Sequence, residues 1–435
     1  MSDQNPYPEF EEIYSDVQEP EIGKRRRQAD SPSRGKKRSK KMNPKRIDLK
    51  AAFDKKISIR ATIIACVVCT ALAAVIAVIA SRAGFGGAEN YRMAKKLAEV
   101  KSVVDSEYIG EADDEALTNA AAAAMVAATG DRWSYYMTPE EYQAYQMYSN
   151  NEYTGIGVTL QAGAGTNGLQ IVAVAAQSPA EKAGLKVGES ITEVDGVSVE
   201  DRSLSEVQEQ IRSKVNQTLS LTVRGTDGET RTVKVDCTVI HTDPVSYEML
   251  DGQIGYIKIS NFESGAGANA IKAVNSLMDD GAVALVFDVR GNPGGRVSEL
   301  VNLLDALLPE GDLFVSVDKS GKETVTTSDN ICVKVPMVVL VNASSYSAAE
   351  YFAAALQEYN WATIVGEPTT GKGRSQTTIV LSDGSAVHLS SARYLTPNRV
   401  DLSEQGGLTP DIKALPGAED SELDLQLEEA LKVLK

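Results

Sequence analysis

Two residues of this chain have the type and spacing to do chemistry together. The run Val341-Asn-Ala-Ser-Ser-Tyr-Ser-Ala-Ala-Glu350 puts Ser347 in the last small-residue turn before a helix. Lys372 follows 25 residues later in Gly371-Lys-Gly373, which reads as a glycine hairpin. A hydroxyl at a helix start beside a lysine is one of the few ways to activate serine without histidine. A helix start surrounds the hydroxyl with unpaired N–H groups that favour developing negative charge. Serine in this position is equally an ordinary helix cap, and Ser344 and Ser345 compete with it. An ordinary lysine is almost wholly charged at neutral pH, so a base here must be desolvated. Gly371 and Gly373 would let the backbone turn and carry the amine inward; a solvated loop lysine is the plainer reading.

The chain has two histidines. His388 sits in an alternating strand-like stretch and His241 follows a β-branched strand, and neither lies in a glycine-framed turn near a candidate nucleophile. Both read as structural, with a Ser-His-Asp triad as the formal alternative. Cys66 and Cys69 fall in an apolar run. Cys237 and Cys332 lie in strand-like contexts and read as thiols, a bridge between them being open. No Cys/His pair has metal-ligand spacing, so no metal site is expected.

At 435 residues the chain calls for two or three domains. Residues 1–60 hold 16 Lys and Arg against 10 Asp and Glu, while the remainder holds 28 against 50. An acidic body of that kind argues against nucleic acid as a partner. The basic part precedes residues 61–80, ATIIACVVCTALAAVIAVIA, long enough as a helix to span about 30 Å of bilayer. Lys55, Lys56 and Arg60 stand directly before it. The positive-inside rule then makes residues 61–81 a single-pass anchor, with a disordered, basic cytoplasmic segment 1–60 and the rest outside the cell membrane. A cleaved signal peptide fits less well, because the preceding segment is far longer than an ordinary n-region.

Beyond the anchor, residues 88–150 read as helical, with Ala94, Leu97, Val100, Val103 and Val104 at helix spacing. Trp133, Tyr135 and Tyr136 would pack this region onto the body. Residues 151–238 carry the strands 169–174 and 190–194, the helix 204–214 and the turns Asp195-Gly196 and Asp227-Gly228. From 239 to 415, apolar strands (254–259, 282–289, 337–341, 363–365, 377–381) alternate with helices (265–278, 297–308, 348–358), the pattern of an α/β core. Residues 416–435 close the chain, their last stretch reading as an amphipathic helix.

Several of these blocks occur together in one known family. They are Gly130-Asp-Arg-Trp-Ser-Tyr-Tyr-Met137, Tyr153-Thr-Gly-Ile-Gly-Val158, Asp288-Val-Arg-Gly-Asn-Pro-Gly-Gly295, the serine block, Gly366-Glu-Pro-Thr-Thr-Gly-Lys-Gly373 and Leu408-Thr-Pro-Asp-Ile412. In this order they resemble the C-terminal processing peptidases, tail-specific serine proteases with a Ser-Lys dyad and an embedded PDZ domain. The resemblance covers roughly residues 88–435. It implies an α/β multidomain protein with a ClpP/crotonase-like protease core and an inserted, β-rich PDZ domain. It also implies endopeptidase activity near protein C-termini without a cofactor. Ser347 would be the nucleophile, Lys372 the base and Gln376 the group that hydrogen-bonds and orients the lysine. Backbone N–H groups of Gly294 or Gly295 and of Ala348 would form the oxyanion hole. The loop Gly155-Ile156-Gly157 would hold a peptide carboxylate, as PDZ loops do. Arg224, at the end of a PDZ strand, would sense peptide occupancy, and the helical region would build a contact between copies. A catalytically silent PDZ scaffold is the alternative from another class. A signal-peptidase-like Ser/Lys enzyme shares the chemistry but not the PDZ block.

Overall fold

The computed structural model describes residues 63, 66–73, 86–162, 168–417 and 423–435. Most of the expected anchor and all of residues 1–60 lie outside the described residues. Positions 63 and 66–73 of the apolar run are helical, and no helix among the described residues is long and apolar enough to cross a membrane. The described residues form two compact units, one ending at Ala120 and the other running Ala121–Lys435.

In the first unit, Ala88–Glu107 is a helix with no buried residue. Met93, Leu97, Val100 and Val103 form an exposed stripe along it at three- and four-residue spacing. The chain then turns into a second helix, Asp114–Ala127, which continues into the other unit. Lys101 holds the turn by bonding both Asp105 and Asp114 at 2.7 Å.

The second unit has three sheets. The first, in residues 152–241, is the seven-stranded sheet of the expected PDZ domain, and its longest strand, Thr230–His241, pairs with the whole of Gln217–Arg224. Its core is Ile156, Ile171, Ile191, Val207, Leu221 and Val235. Val207 and Ile211 supply the apolar stripe of the helix Leu204–Arg212, which starts in a capping box from Ser203 and Glu206.

A central six-stranded sheet leads into the Ser347 block. Ile254–Ile259, Ala284–Asp288, Met337–Val341 and Ala362–Gly366 run parallel, joined by the crossover helices Ala266–Asp279, Val297–Leu307 and Ala348–Glu358. Val245–Leu250 adds an antiparallel edge. The interior strands Ala284–Asp288 and Met337–Val341 are buried at every residue, which is why they read as unbroken apolar runs. Parallel strands release their loops at carboxyl ends, where α/β folds build sites. The loops after these two neighbouring strands are the glycine turn 291–295 and the serine block.

The antiparallel third sheet contains Gly311–Asp318, Glu323–Ser328, Arg374–Val380 and Ala386–Leu395, with Tyr135–Met137 at one edge. Its strands come from distant parts of the chain, and the sequence pattern indicated only parts of the third and fourth. The hairpin formed by Arg374–Val380 and Ala386–Leu395 begins just after Lys372. Lys372 therefore sits in a close-packed loop before the hairpin, not in a hairpin turn. The C-terminal helix, Leu425–Val433, is pinned by Arg290, which bonds Asp288 and Asp424.

Candidate active site

Ser347 is the N-cap of the helix Ala348–Glu358, with φ 56° and ψ −124°. A side chain at such a positive φ is strained, at a typical cost of about 1–3 kcal/mol, and strain of this kind gathers at functional sites. The residue is fully buried, yet its Oγ makes no hydrogen bond. It is not spent on capping the helix. Its competitors have other fates: Ser345 Oγ donates to Val289 O at 2.7 Å and accepts from Asn342 N, and Ser344 is exposed.

Lys372 is also fully buried. Gly371 has φ 85°, and an added Cβ would lie 2.7 Å from Gly407 N; at Gly373 it would lie 2.4 Å from Asp401 Oδ1. The two glycines thus let the loop press against its neighbours while the lysine turns inward. The amine lies 4.4 Å from the centroid of the Trp133 ring.

Glu350, three residues into the helix Ala348–Glu358, ties the two loops together. Its carboxylate accepts from Ser347 N and Lys372 N at 2.8 Å and from Gly371 N at 2.7 Å, and Thr369 Oγ1 also donates to it. Burial pushes its carboxyl above the usual range, against these donors. One side chain therefore fixes the backbone of both proposed catalytic residues. Its place in the sequence, Ser-x-x-Glu before an apolar run, is a capping-box signal that could have been read; its bonds to the lysine loop could not.

The glycine turn 291–295 follows the buried strand Ala284–Asp288. Gly295 has φ 147°, and an added Cβ would lie 2.1 Å from Phe262 C, so only glycine fits. Gly294 N–H is taken by Asn292 Oδ1 at 2.7 Å. Among the described residues, no hydrogen bond within the chain takes the N–H of Gly295 or of Ala348. Asn292 also donates to Ile259 O and accepts from Tyr346 N, so this turn and the serine block share one framework.

Gln376 lies in the strand after the lysine and is fully buried. The lysine–glutamine hydrogen bond is not made in this arrangement. Nε2 donates to Ser390 Oγ at 2.9 Å, and Oε1 has no hydrogen-bond partner. A register shift between Ser375 and Gln376, invisible in sequence, sets where the amide points.

His388 is buried among Tyr135 and Tyr145 and shares a 2.8 Å hydrogen bond with Thr378 Oγ1. His241 is exposed beside Glu152 on the PDZ exit strand. Neither bonds Ser347, whose Oγ has no partner. The four cysteines are free; Cys237 is buried in the PDZ core and burial pushes its thiol up.

In the PDZ loop, Ile156 is buried in the domain core, and Gly157, φ 88°, passes so close to Ser178 that a Cβ would lie 2.2 Å from its own. Arg224 pairs through its backbone with Ser190 and Thr230 at one end of the PDZ sheet. Among the described residues, no hydrogen bond brings its side chain to the Ser347 and Lys372 loops. Trp133 was expected as a packing residue and is found against the lysine amine, 239 positions away in sequence. No local signal could have revealed that.

A buried serine with an unbonded hydroxyl at a helix N-terminus, a buried lysine whose loop Glu350 ties to it, and unpaired N–H groups are the parts that a serine-type peptidase would need. The chain matches the model of peptidase family S41 over residues 253–414 and that of a PDZ domain over residues 170–225. It is 32% identical over 320 residues to a carboxyl-terminal-processing protease of Synechocystis sp., covering 71% of this chain and 75% of that protein. The carboxyl-terminal-processing protease of Picosynechococcus sp. is 32% identical over 323 residues, covering 71% and 77%. Among solved structures, a photosystem II D1 C-terminal processing protease is 29% identical with a TM-score of 0.47, covering 80% of this chain and 92% of that one. The chain belongs to peptidase family S41, among the carboxyl-terminal-processing proteases.

Proposed function

We propose that this protein is a membrane-anchored endopeptidase that cleaves proteins near their C-termini on the outer side of the membrane, through a Ser347–Lys372 dyad. The observation that carries the reading is the fully buried Lys372, held by Glu350 to the same framework as a buried Ser347 hydroxyl without a partner. Ser347 Oγ attacks the peptide carbonyl while the neutral Lys372 amine takes its proton. The ammonium returns the proton to the leaving amine, and water then hydrolyses the acyl-enzyme. The free N–H groups of Gly295 and Ala348 receive the developing oxyanion; Gly294, already bonded to Asn292, is the lesser candidate. As the dyad closes, the unpaired Gln376 Oε1 becomes the acceptor that orients the lysine.

Substrate tails bind the PDZ domain, with their carboxylate on the loop Gly155-Ile156-Gly157, and Arg224 relays occupancy. The apolar run 61–80 and the basic residues before it support the anchor and its orientation. The test is covalent labelling by a fluorophosphonate and cleavage of peptides with free or amidated C-termini, using wild type, Ser347→Ala and Lys372→Ala. Wild type alone should label and cleave, with free C-termini preferred. Cleavage by either variant overturns the dyad, and equal turnover of both peptide forms overturns tail capture. Recovery of the full chain in a membrane fraction, extractable only by detergent, checks the anchor.

A further inference from the structure

We propose that Arg132 holds a substrate carboxylate in the cavity beside Ser347, so that the preferred substrate carries an acidic side chain next to, or one removed from, the scissile bond. This names the substrate class of the Ser347 site and rests on the peptidase reading above. Arg132, Trp133, Ser344, Tyr346 and Thr370 line a cavity of about 290 Å³. Ser344 and Tyr346 belong to the serine block, and Tyr346 directly precedes Ser347. A side chain entering here therefore belongs to a residue bound close to the nucleophile.

The guanidinium is supported and its donors are unspent. Its carbon lies 3.9 Å from the centroid of the Trp133 ring, the stacked arrangement that arginine adopts on an aromatic face. Among the described residues its side chain forms no ion pair and no hydrogen bond. The neighbouring Asp131 is committed elsewhere: Oδ1 accepts from Trp133 N at 3.3 Å and Oδ2 from Ser134 Oγ at 2.6 Å. Ser134 Oγ in turn accepts from Ser390 N at 2.9 Å, which docks the turn on the strand Ala386–Leu395. The donor fork thus stands on a fixed support, and little remains to be ordered when a carboxylate arrives. Ser344 adds an exposed hydroxyl that makes no hydrogen bond among the described residues.

Charge directs an acidic group to this cavity. A second cavity, of about 550 Å³, shares only Tyr346 with the first and carries Glu140, Glu152 and Glu209 against Arg212. A carboxylate is disfavoured there and favoured beside Arg132, whose cavity has no acidic residue in its lining. The same arrangement disfavours a lysine side chain beside Arg132. The terminal carboxylate of a short tail has the same chemistry as an acidic side chain, and peptide amidation separates the two.

Peptides carrying Glu, Gln or Lys at each position around one scissile bond, with free and with amidated C-termini, are offered to the full chain as wild type, Arg132→Gln and Arg132→Glu. Cleavage sites are read by mass spectrometry, and kcat/KM is compared between peptides within each variant. Wild type should favour Glu over Gln by about fivefold to tenfold at one position near the bond, in free and amidated peptides alike. Arg132→Gln should bring that ratio close to one, and Arg132→Glu should turn the preference to Lys. A general loss of structure lowers all rates together and leaves the ratio unmoved. Equal turnover of Glu and Gln peptides by wild type overturns the proposal, as does a Glu preference that survives in both variants. A preference confined to free C-termini overturns the side-chain assignment and gives the cavity to the chain end. Cleavage by Ser347→Ala, or none of any peptide by wild type, is a different result and overturns the peptidase reading itself.

Discussion

Glu350, itself fully buried, reaches both the Ser347 loop and the Lys372 loop. Four donors converge on its carboxylate, from Ser347, Thr369, Gly371 and Lys372. Glu350→Gln keeps the shape but turns an NH2 toward N–H groups that need an acceptor. Leaving such groups unsatisfied costs about 1–3 kcal/mol. We expect denaturant unfolding to show a loss of that size and kcat to fall while KM stays near wild type. Glu350→Ala should be worse on both counts. A rise in KM with kcat intact would mean the carboxylate shapes the substrate groove and not the dyad. Ser347 and Lys372 could be singled out in sequence because the small-residue run and the glycine spacing mark them, and Gln376 only through the family resemblance. Trp133 and the unbonded Oε1 of Gln376 could not, since each depends on a contact between segments far apart in the chain.

The elements that aim these residues are loops leaving adjacent parallel strands. Gly295 shows how narrowly they are specified: its φ of 147° and a Cβ position 2.1 Å from Phe262 C exclude any side chain. Gly295→Ala must displace the turn that carries the free N–H. The expected result is a fall in kcat of about 10²–10³, the usual cost of losing one oxyanion donor, with the fluorophosphonate still reaching Ser347 slowly. Unchanged kcat would remove this N–H from the mechanism. Elements whose pattern is local were legible. The strands Ile254–Ile259 and Met337–Val341 and the helix Ala348–Glu358 have the bounds their sequence suggests. The third sheet was mostly not, because Gly311–Asp318 and Glu323–Ser328 pair far from where simple alternation is readable.

At the scale of the whole molecule, the PDZ entry and the protease core meet at a buried carboxyl. Glu263 accepts from Ser149 Oγ at 2.9 Å and faces Arg296, which follows Gly295 and grips Ser149 O and Asn150 Oδ1. Burial pushes Glu263 up from 4.5 to about 7. Stability from this group is fully present below the ordinary value, where both states hold the proton. It is lost as pH rises toward 7, because only the unfolded chain ionises freely there. The loss should total about 3 kcal/mol. Denaturant unfolding at pH 4.5, 6 and 8 should show Glu263→Gln gaining on wild type by that amount; a pH-independent difference would refute the assignment. The sequence by itself determined the buried strands Ile254–Ile259 and Met337–Val341 and the helix Ala348–Glu358, and it singled out Ser347 and Lys372 as the residues proposed to act as nucleophile and base, because periodicity, glycine placement and block order are local properties. Tertiary structure alone decided that the lysine rests on an indole, that one glutamate fixes both loops, and that Gly295 and not Gly294 keeps a free N–H. Those facts depend on which distant groups come within hydrogen-bond reach once the core has closed.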